Sequence, residues 1–419
     1  MRLRSALALL ACLAGLPAWA ADPVLPRLRP LTDRRFEVTA ERLERGQYLS
    51  EHLLQCFLCH SERDWASPGA PPIVARKGAG AILSHQDDRW VVAPNITPDV
   101  ETGAGGWTDD MLARAIREGI GHDGRALYWG MWYQSFAALS DEDLAAVVVY
   151  LRSIPAVRNV LPRTVLPPEE AAENAANPAP ITAPVPDPAP GDVLARGRYL
   201  LTLADCAGCH TSWYSPRNPG LLAGGNPIRR GTHTAFSTNI TPHASGTGYP
   251  TATFIAVMRT GKGESLSGIM PWAFFRGLTD ADLTAMHAAL GAIQPVAHYI
   301  GNVGVPHHCD VCGQEHPLGE FNRLETPVGV SLARGQLDRL AGTYRSEQFR
   351  VTLTVRSDGH HLYGREDTGA EVELIAQSAT RFLAPGWSAP VEFVLDDDGR
   401  VLRLDSLEID RIPFERLKK

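Results

Sequence analysis

The sequence predicts a mainly α chain in which two copies of one small helical domain stand in tandem ahead of a C-terminal antiparallel β domain. Three observations predict it. Two segments either side of a proline-rich stretch repeat each other, apolar residues within them recur at helical spacing, and beyond Leu332 the apolar residues alternate with polar ones. A length of 419 residues admits two or three domains, and 44% hydrophobic with 21% charged residues excludes disorder throughout.

The chain opens with Arg2 and Arg4, an apolar stretch from Ala6 to Leu16, and Ala18-Trp19-Ala20. Residues 1–20 are thus expected to be a signal peptide cleaved before Ala21, which makes the mature protein periplasmic. Cys12 lies inside this leader, and the apolar segment before it is too short for the lipoprotein reading. Removing Arg2 and Arg4 leaves 38 basic against 47 acidic side chains, a balance that argues against nucleic-acid binding. Beyond the leader the longest apolar run, Leu144 to Leu151, falls far below the roughly twenty residues that span a bilayer, so no transmembrane anchor is expected.

Residues 162–190 contain nine prolines and are read as a linker without helix or central strand. Arg45-Gly46-Gln47-Tyr48-Leu49 before it answers to Arg196-Gly197-Arg198-Tyr199-Leu200 after it, Asn95-Ile96-Thr97-Pro98 to Asn239-Ile240-Thr241-Pro242, and Leu139-Ser140-Asp141 to Leu278-Thr279-Asp280. Ser140 and Thr279, each followed by acidic residues and an apolar periodic run, are expected to N-cap amphipathic helices. Another helix is expected at Thr108 to Glu118, matched by Thr251 to Arg259. From Val351 onward, period-two alternation around Asp358-Gly359 and Asp397-Asp398-Gly399 predicts antiparallel hairpins. The organisation so read is 41–160 for the first repeat, 161–191 for the linker, 192–296 for the second repeat, 297–331 for a connector and 332–419 for the β domain.

Each repeat carries Cys-x-x-Cys-His: Cys56, Cys59 and His60, then Cys206, Cys209 and His210. This is the spacing of covalent haem attachment, in which two thiols add to the porphyrin and the adjacent histidine becomes the proximal iron ligand. Ordinary disulfides or zinc pairs compete for one isolated motif; its recurrence with the same downstream signals favours two covalently bound haem c groups. Met131 and Met270 stand at equivalent positions, eight residues before Leu139 and Leu278, and are the candidate sixth ligands. Met111, Met258 and Met286 fall on expected helices and are read as core filling. His85, His122, His233 and His243 have no counterpart in the other repeat, which disfavours bis-histidine ligation.

These motifs, together with Gly105-Gly106-Trp107-Thr108, Asp123-Gly124-Arg125-Ala126-Leu127-Tyr128 and Tyr150-Leu151-Arg152-Ser153-Ile154-Pro155, resemble those of the cytochrome c subunits of bacterial periplasmic dehydrogenases for alcohols, aldehydes and gluconate. The resemblance covers roughly residues 41 to 320. It implies two tandem domains of cytochrome c type, with His60 and Met131 on one iron and His210 and Met270 on the other. It also sets Asn95 and Asn239 near the haem edge, holding a propionate, although turn residues before proline are equally explained as structural. Two features depart from the family. There are two attachment motifs where its multihaem members usually carry three and a membrane-associating tail, and Trp132 follows Met131 where the family has proline.

Cys309 and Cys312 lack the following histidine. In an exported chain a disulfide is their first reading, a metal held with His307, His308 or His316 the second, and a redox-active pair the third. The β domain resembles the lipocalin-like modules appended to exported bacterial proteins and carries no nucleophile with a base. The function expected is that of a dihaem electron carrier, taking electrons from a periplasmic dehydrogenase and giving them to a cytochrome or oxidase, and not an independent catalyst. A dihaem peroxidase or oxidase with one open iron, and a haem-based sensor or binding protein, are the alternatives.

Overall fold

A computed structural model describes residues 28–417 except 68, 87, 231–232, 264–265, 325–327, 348–350, 368, 385–386, 388–389 and 408–410; the expected signal peptide lies outside the described residues. In each repeat a first helix, Ala40–Tyr48 or Val193–Leu203, packs against a last one, Asp141–Ser153 or Asp280–Gly291. The hydroxyls of Ser140 and Thr279 accept from the amides of Asp143 and Asp282, which starts both last helices where the sequence places them. Asp109–Glu118 and Thr251–Thr260 supply the expected middle helices.

The chain is nonetheless not mainly α. Among the described residues helices are a minority, and a closed antiparallel barrel of eight strands forms the C-terminal part. The expectation overweighted four amphipathic runs. Between the attachment motif and the middle helix each repeat proceeds through loops and a two-stranded hairpin, Ala81–Gln86 with Arg89–Ala93 and Pro227–Arg230 with His233–Phe236. Side chains satisfy this irregular backbone in place of a helical ladder. The proline-rich stretch also departs from expectation, because Pro168–Ala176 is a helix. Pro168 sits in its first turn, where the missing N–H is no loss.

In the barrel the strands Gly342–Ser346, Val351–Ser357, Leu362–Glu366, Val372–Ala376, Arg381–Leu383, Val391–Leu395, Val401–Leu407 and Arg411–Arg416 each pair with the next in sequence. Glu415 and Arg416 then pair with Arg345 and Tyr344 and close the ring. Alternate residues such as Leu353, Val355, Phe382, Phe393 and Leu404 fill the interior, and the helix Arg334–Leu340 adds Leu337 and Leu340 to the same core. Closure removes both sheet edges.

The two repeats share a single continuous apolar core. Gly46 and Gly197 lie where first and last helices cross; a Cβ there would stand 2.0 Å from the carbonyl oxygen of Ala146 or Ala285. Arg45 grips Asp143 through two hydrogen bonds of 2.7 and 2.8 Å, and Arg196 grips Asp282 at 3.0 and 3.1 Å. Each carboxylate also takes a hydroxyl from the opposite repeat, Tyr199 to Asp143 at 2.7 Å and Tyr48 to Asp282 at 2.6 Å. The same hydroxyls accept from the amides of Ser140 and Thr279. The junction is therefore reciprocal, made twice from equivalent residues.

Gly46→Ala and Gly197→Ala are each expected to destabilise by about 1–3 kcal/mol through overpacking. Gly291→Ala, on a helix with no atom near its would-be Cβ, should be neutral or slightly stabilising, and denaturant melts compare the three. Burial alone would raise the Asp143 carboxyl, but the Arg45 and Tyr199 hydrogen bonds outweigh it and hold the group below its ordinary value. A carboxylate depressed on folding adds stability that is present above its unfolded value and is lost as pH falls through the folded one. The denaturation midpoint should accordingly drop below about pH 4, and drop less steeply in Asp143→Asn, which has no proton to take up.

Candidate functional site

Each attachment motif begins after a residue in the left-handed region, Gln55 at φ 52° and Asp205 at φ 52°, which turns the chain sharply into the short helices Cys56–Cys59 and Cys206–His210. The two approaches differ in length. Tyr48 precedes Cys56 by eight residues and Tyr199 precedes Cys206 by seven. A π-helical turn over Leu49–Leu53 takes up the extra residue, so both motifs leave the first helix in a like orientation.

His60 and His210 are buried, and burial lowers the basicity of both imidazoles. His60 Nδ1 bonds to the carbonyl of Pro94 at 2.8 Å, and His210 Nδ1 to that of Thr238 at 2.7 Å. These carbonyls directly precede Asn95 and Asn239. A carbonyl cannot donate, so each ring carries its proton on Nδ1 and keeps a lone pair on Nε2 for another partner. His60 Nε2 points at Met131 Sδ, 3.4 Å away. Both face a cavity of about 350 Å³, whose wall also includes Cys56, Cys59, Ile96, Trp107 and Phe136. Cys56, Cys59, Cys206 and Cys209 all carry free thiols. Burial pushes the Cys56 thiol up to about 12 and that of Cys209 up to about 11, which keeps both neutral.

The donor set fits haem c by its chemistry: two neutral thiols, an oriented imidazole and a thioether beside it, in an apolar wall. In the second repeat His210 is oriented in the same way, and Met270 packs against the shared core. The backbone beside the two methionines differs. Trp132 adopts φ 58°, which a proline ring cannot reach, whereas Pro271 sits at φ −78°. The absence of proline after Met131 thus follows from the local chain path.

Asn95 and Asn239 are buried and occupied within the protein. Their amides donate to the carbonyls of Val157 and Val296 at 2.7 Å, and their own oxygens accept from the amides of Thr97 and Thr241 at 2.9 Å. This geometry ties the loop to the chain beyond the last helix. His85 lies tilted against Trp90, His122 stacks on Trp107, and His243 bonds Ser245.

Sequence reasoning missed the helix Pro168–Ala176. Its Ala171, Asn174 and Ala175 line the first cavity, and Glu170 pairs with Arg89 at 2.9 Å. Asn174 accepts from the Trp129 amide and donates to the Leu127 carbonyl, both at 2.9 Å, pinning the helix to the loop that carries Met131. Proline content hid it; Glu169-Glu170 behind Pro168 is the helix-start signal that was there to find.

No family model matches the chain. It is 32% identical over 206 residues to a nicotinate dehydrogenase subunit of Pseudomonas putida, covering 46% of this chain and 16% of that protein. It is 31% identical over 187 residues to the gluconate 2-dehydrogenase cytochrome c subunit of Pantoea cypripedii, covering 40% and 38%. To a diheme cytochrome c-type protein of Cereibacter sphaeroides it is 33% identical over 216 residues, covering 45% and 63%. The chain thus spans less than two thirds of the length of each of these relatives. It is similar to cytochrome c subunits of bacterial dehydrogenases and to a diheme cytochrome c, as its motifs imply.

Asn174→Ala should leave the Trp129 amide without its acceptor, at a cost of about 1–3 kcal/mol. Hydrogen exchange at Trp129 is expected to speed up while exchange in the barrel stays unchanged. Trp132→Pro should unfold the loop carrying Met131, and Trp132→Gly should not, a contrast that limited proteolysis between Tyr128 and Phe136 resolves.

Proposed function

We propose that this chain is an exported dihaem c-type cytochrome that carries electrons from a periplasmic dehydrogenase to a cytochrome or oxidase of the respiratory chain. The observation that carries the reading is that His60 Nε2 and Met131 Sδ meet at 3.4 Å on the wall of a cavity that Cys56 and Cys59 also line, so that a modest parting of the two would admit an iron between them. The equivalent orientation of His210 and the similarity to dehydrogenase cytochrome subunits support extending it to both repeats. Residues Cys56, Cys59, His60 and Met131 would hold one haem c, and Cys206, Cys209, His210 and Met270 the other. Bound haem supplies a reversible one-electron iron couple.

The chain's own residues do the rest. Pro94 and Thr238 orient the imidazoles, the apolar walls exclude water, and the methionines close the position opposite each histidine. Among the described residues no helix is long and apolar enough to cross a membrane.

The test is the optical spectrum of the holoprotein with haem counted per chain and carbon monoxide added to the reduced form. Two covalent low-spin haems that ignore carbon monoxide are expected. Met131→Ala and Met270→Ala should each open one haem to the gas. Carbon monoxide binding by the unaltered protein would overturn the closed carrier in favour of a peroxidase or oxidase, and variants that still exclude the gas would reject the methionine assignments.

A further inference from the structure

Behind the second attachment motif lies a cluster that the electron-transfer reading does not use. His298, Cys309, Cys312 and His316 are all buried, and one potential ligand atom from each lies within 4.8 Å of the others. They come from three stretches of chain: the segment after the last helix of the second repeat, a tight turn, and the strand Glu315–Pro317, which pairs with Pro306–His308. In that turn the Cys312 amide points at Cys309 Sγ at 3.4 Å, and Gly313 takes φ 76°, a conformation that side chains rarely adopt. Both cysteines are free thiols, so the disulfide first expected of them is not formed.

The two histidines are prepared alike. His298 Nδ1 bonds to the Ala223 carbonyl at 2.8 Å, and His316 Nδ1 to the Pro317 carbonyl at 2.9 Å. Each ring proton is thereby placed on Nδ1. Both Nε2 atoms are buried without a hydrogen-bond partner and carry lone pairs in the cluster. An imidazole whose far nitrogen donates to a backbone carbonyl is the usual arrangement of a metal-ligating histidine.

The repeat itself sharpens the argument. Val157 and Val296 are equivalent, each accepting from the asparagine of its repeat, so Asn159 and His298, two residues on, are equivalent as well. Asn159 donates its side-chain amide to the Ala79 carbonyl at 2.8 Å, as His298 donates to Ala223. An amide suffices for that bond. The second repeat uses an imidazole instead, and the further nitrogen reaches Cys309, Cys312 and His316.

We propose that His298, Cys309, Cys312 and His316 bind one structural zinc ion. Two thiolates and two neutral imidazoles form a closed tetrahedral set, whose ligand atoms would lie about 3.3–3.8 Å apart for ordinary zinc–sulfur and zinc–nitrogen bonds. The ligand atoms lie within 4.8 Å of one another, so the widest pair closes by up to about 1 Å when the ion binds. No position is left for water, because the protein supplies all four ligands. His307 and His308, suggested by the sequence, are exposed and pair with Glu320 and Asp310 instead. The Gly224 amide, next to Ala223, donates to the His210 carbonyl, so zinc would clamp the connector against the chain behind the second attachment motif.

The test uses the full-length holoprotein purified without chelator. Elemental analysis should find one zinc per chain beside the iron, and zinc-edge X-ray absorption should give two sulfur and two nitrogen neighbours at about 2.3 and 2.0–2.1 Å. His298→Asn keeps the bond to Ala223 by restoring the residue of the first repeat. It should retain its haem spectrum yet lose more than about tenfold in zinc affinity, read as zinc remaining after dialysis against a graded chelator. Unaltered protein without zinc, with Cys309 and Cys312 either joined or alkylatable as free thiols, would overturn the proposal. So would zinc with only oxygen and nitrogen neighbours, or zinc retained equally by His298→Asn.

Discussion

Two buried carboxylates, Asp143 and Asp282, organise the junction on which both repeats depend. A carboxylate taken out of water is tolerated only when charged and hydrogen-bonding partners replace the water it loses. Arginine from the first helix of the same repeat supplies the charge, and tyrosine from the first helix of the other supplies a hydroxyl. Neither repeat can complete its own carboxylate's shell. The glycines at Gly46 and Gly197 make this possible, since only a bare backbone lets the first helix come close enough to the last for the arginine to reach.

Much of this was legible from repetition. Arg45, Gly46 and Tyr48 recur as Arg196, Gly197 and Tyr199, and the capped last helices follow from Ser140 and Thr279 with their acidic neighbours. The two Cys-x-x-Cys-His motifs stand out by the same repetition, and the barrel strands were legible from alternation around Asp-Gly turns. Other parts were not. The short hairpins beside the motifs carry too few residues for period two to rise above noise, and Pro168–Ala176 was hidden by a proline that the first turn of a helix accepts. His298 stands eleven residues before Cys309, outside any short ligand spacing, and a histidine without a local pattern gives no sign of which segment will fold against it.

The places where the repeats diverge are as informative as those where they agree. An extra residue before Cys56 is absorbed as a π turn, a local cost that preserves the geometry downstream. Trp132 replaces proline where the backbone turns left-handed, a conformation that costs a non-glycine residue roughly 1–2 kcal/mol and here lets the indole join the cavity wall. Asn159 and His298 meet equivalent carbonyls with different side chains. In each case the shared backbone feature is kept and the side chain carries the difference.

That pattern bears on how two haems in one chain would come to differ. The potential of a haem responds to its axial ligands, to hydrogen bonding of the proximal histidine and to burial. On the histidine side the repeats are matched, with Nδ1 bonded to a backbone carbonyl at 2.8 and 2.7 Å. Neither bond can bias one iron over the other by much. The asymmetry lies on the methionine side, where the first cavity has Trp132 in its wall and is covered by a helix from between the repeats. If one haem of the proposed carrier is the harder to reduce, the difference is set there, by the cover over Met131, and not by the imidazoles.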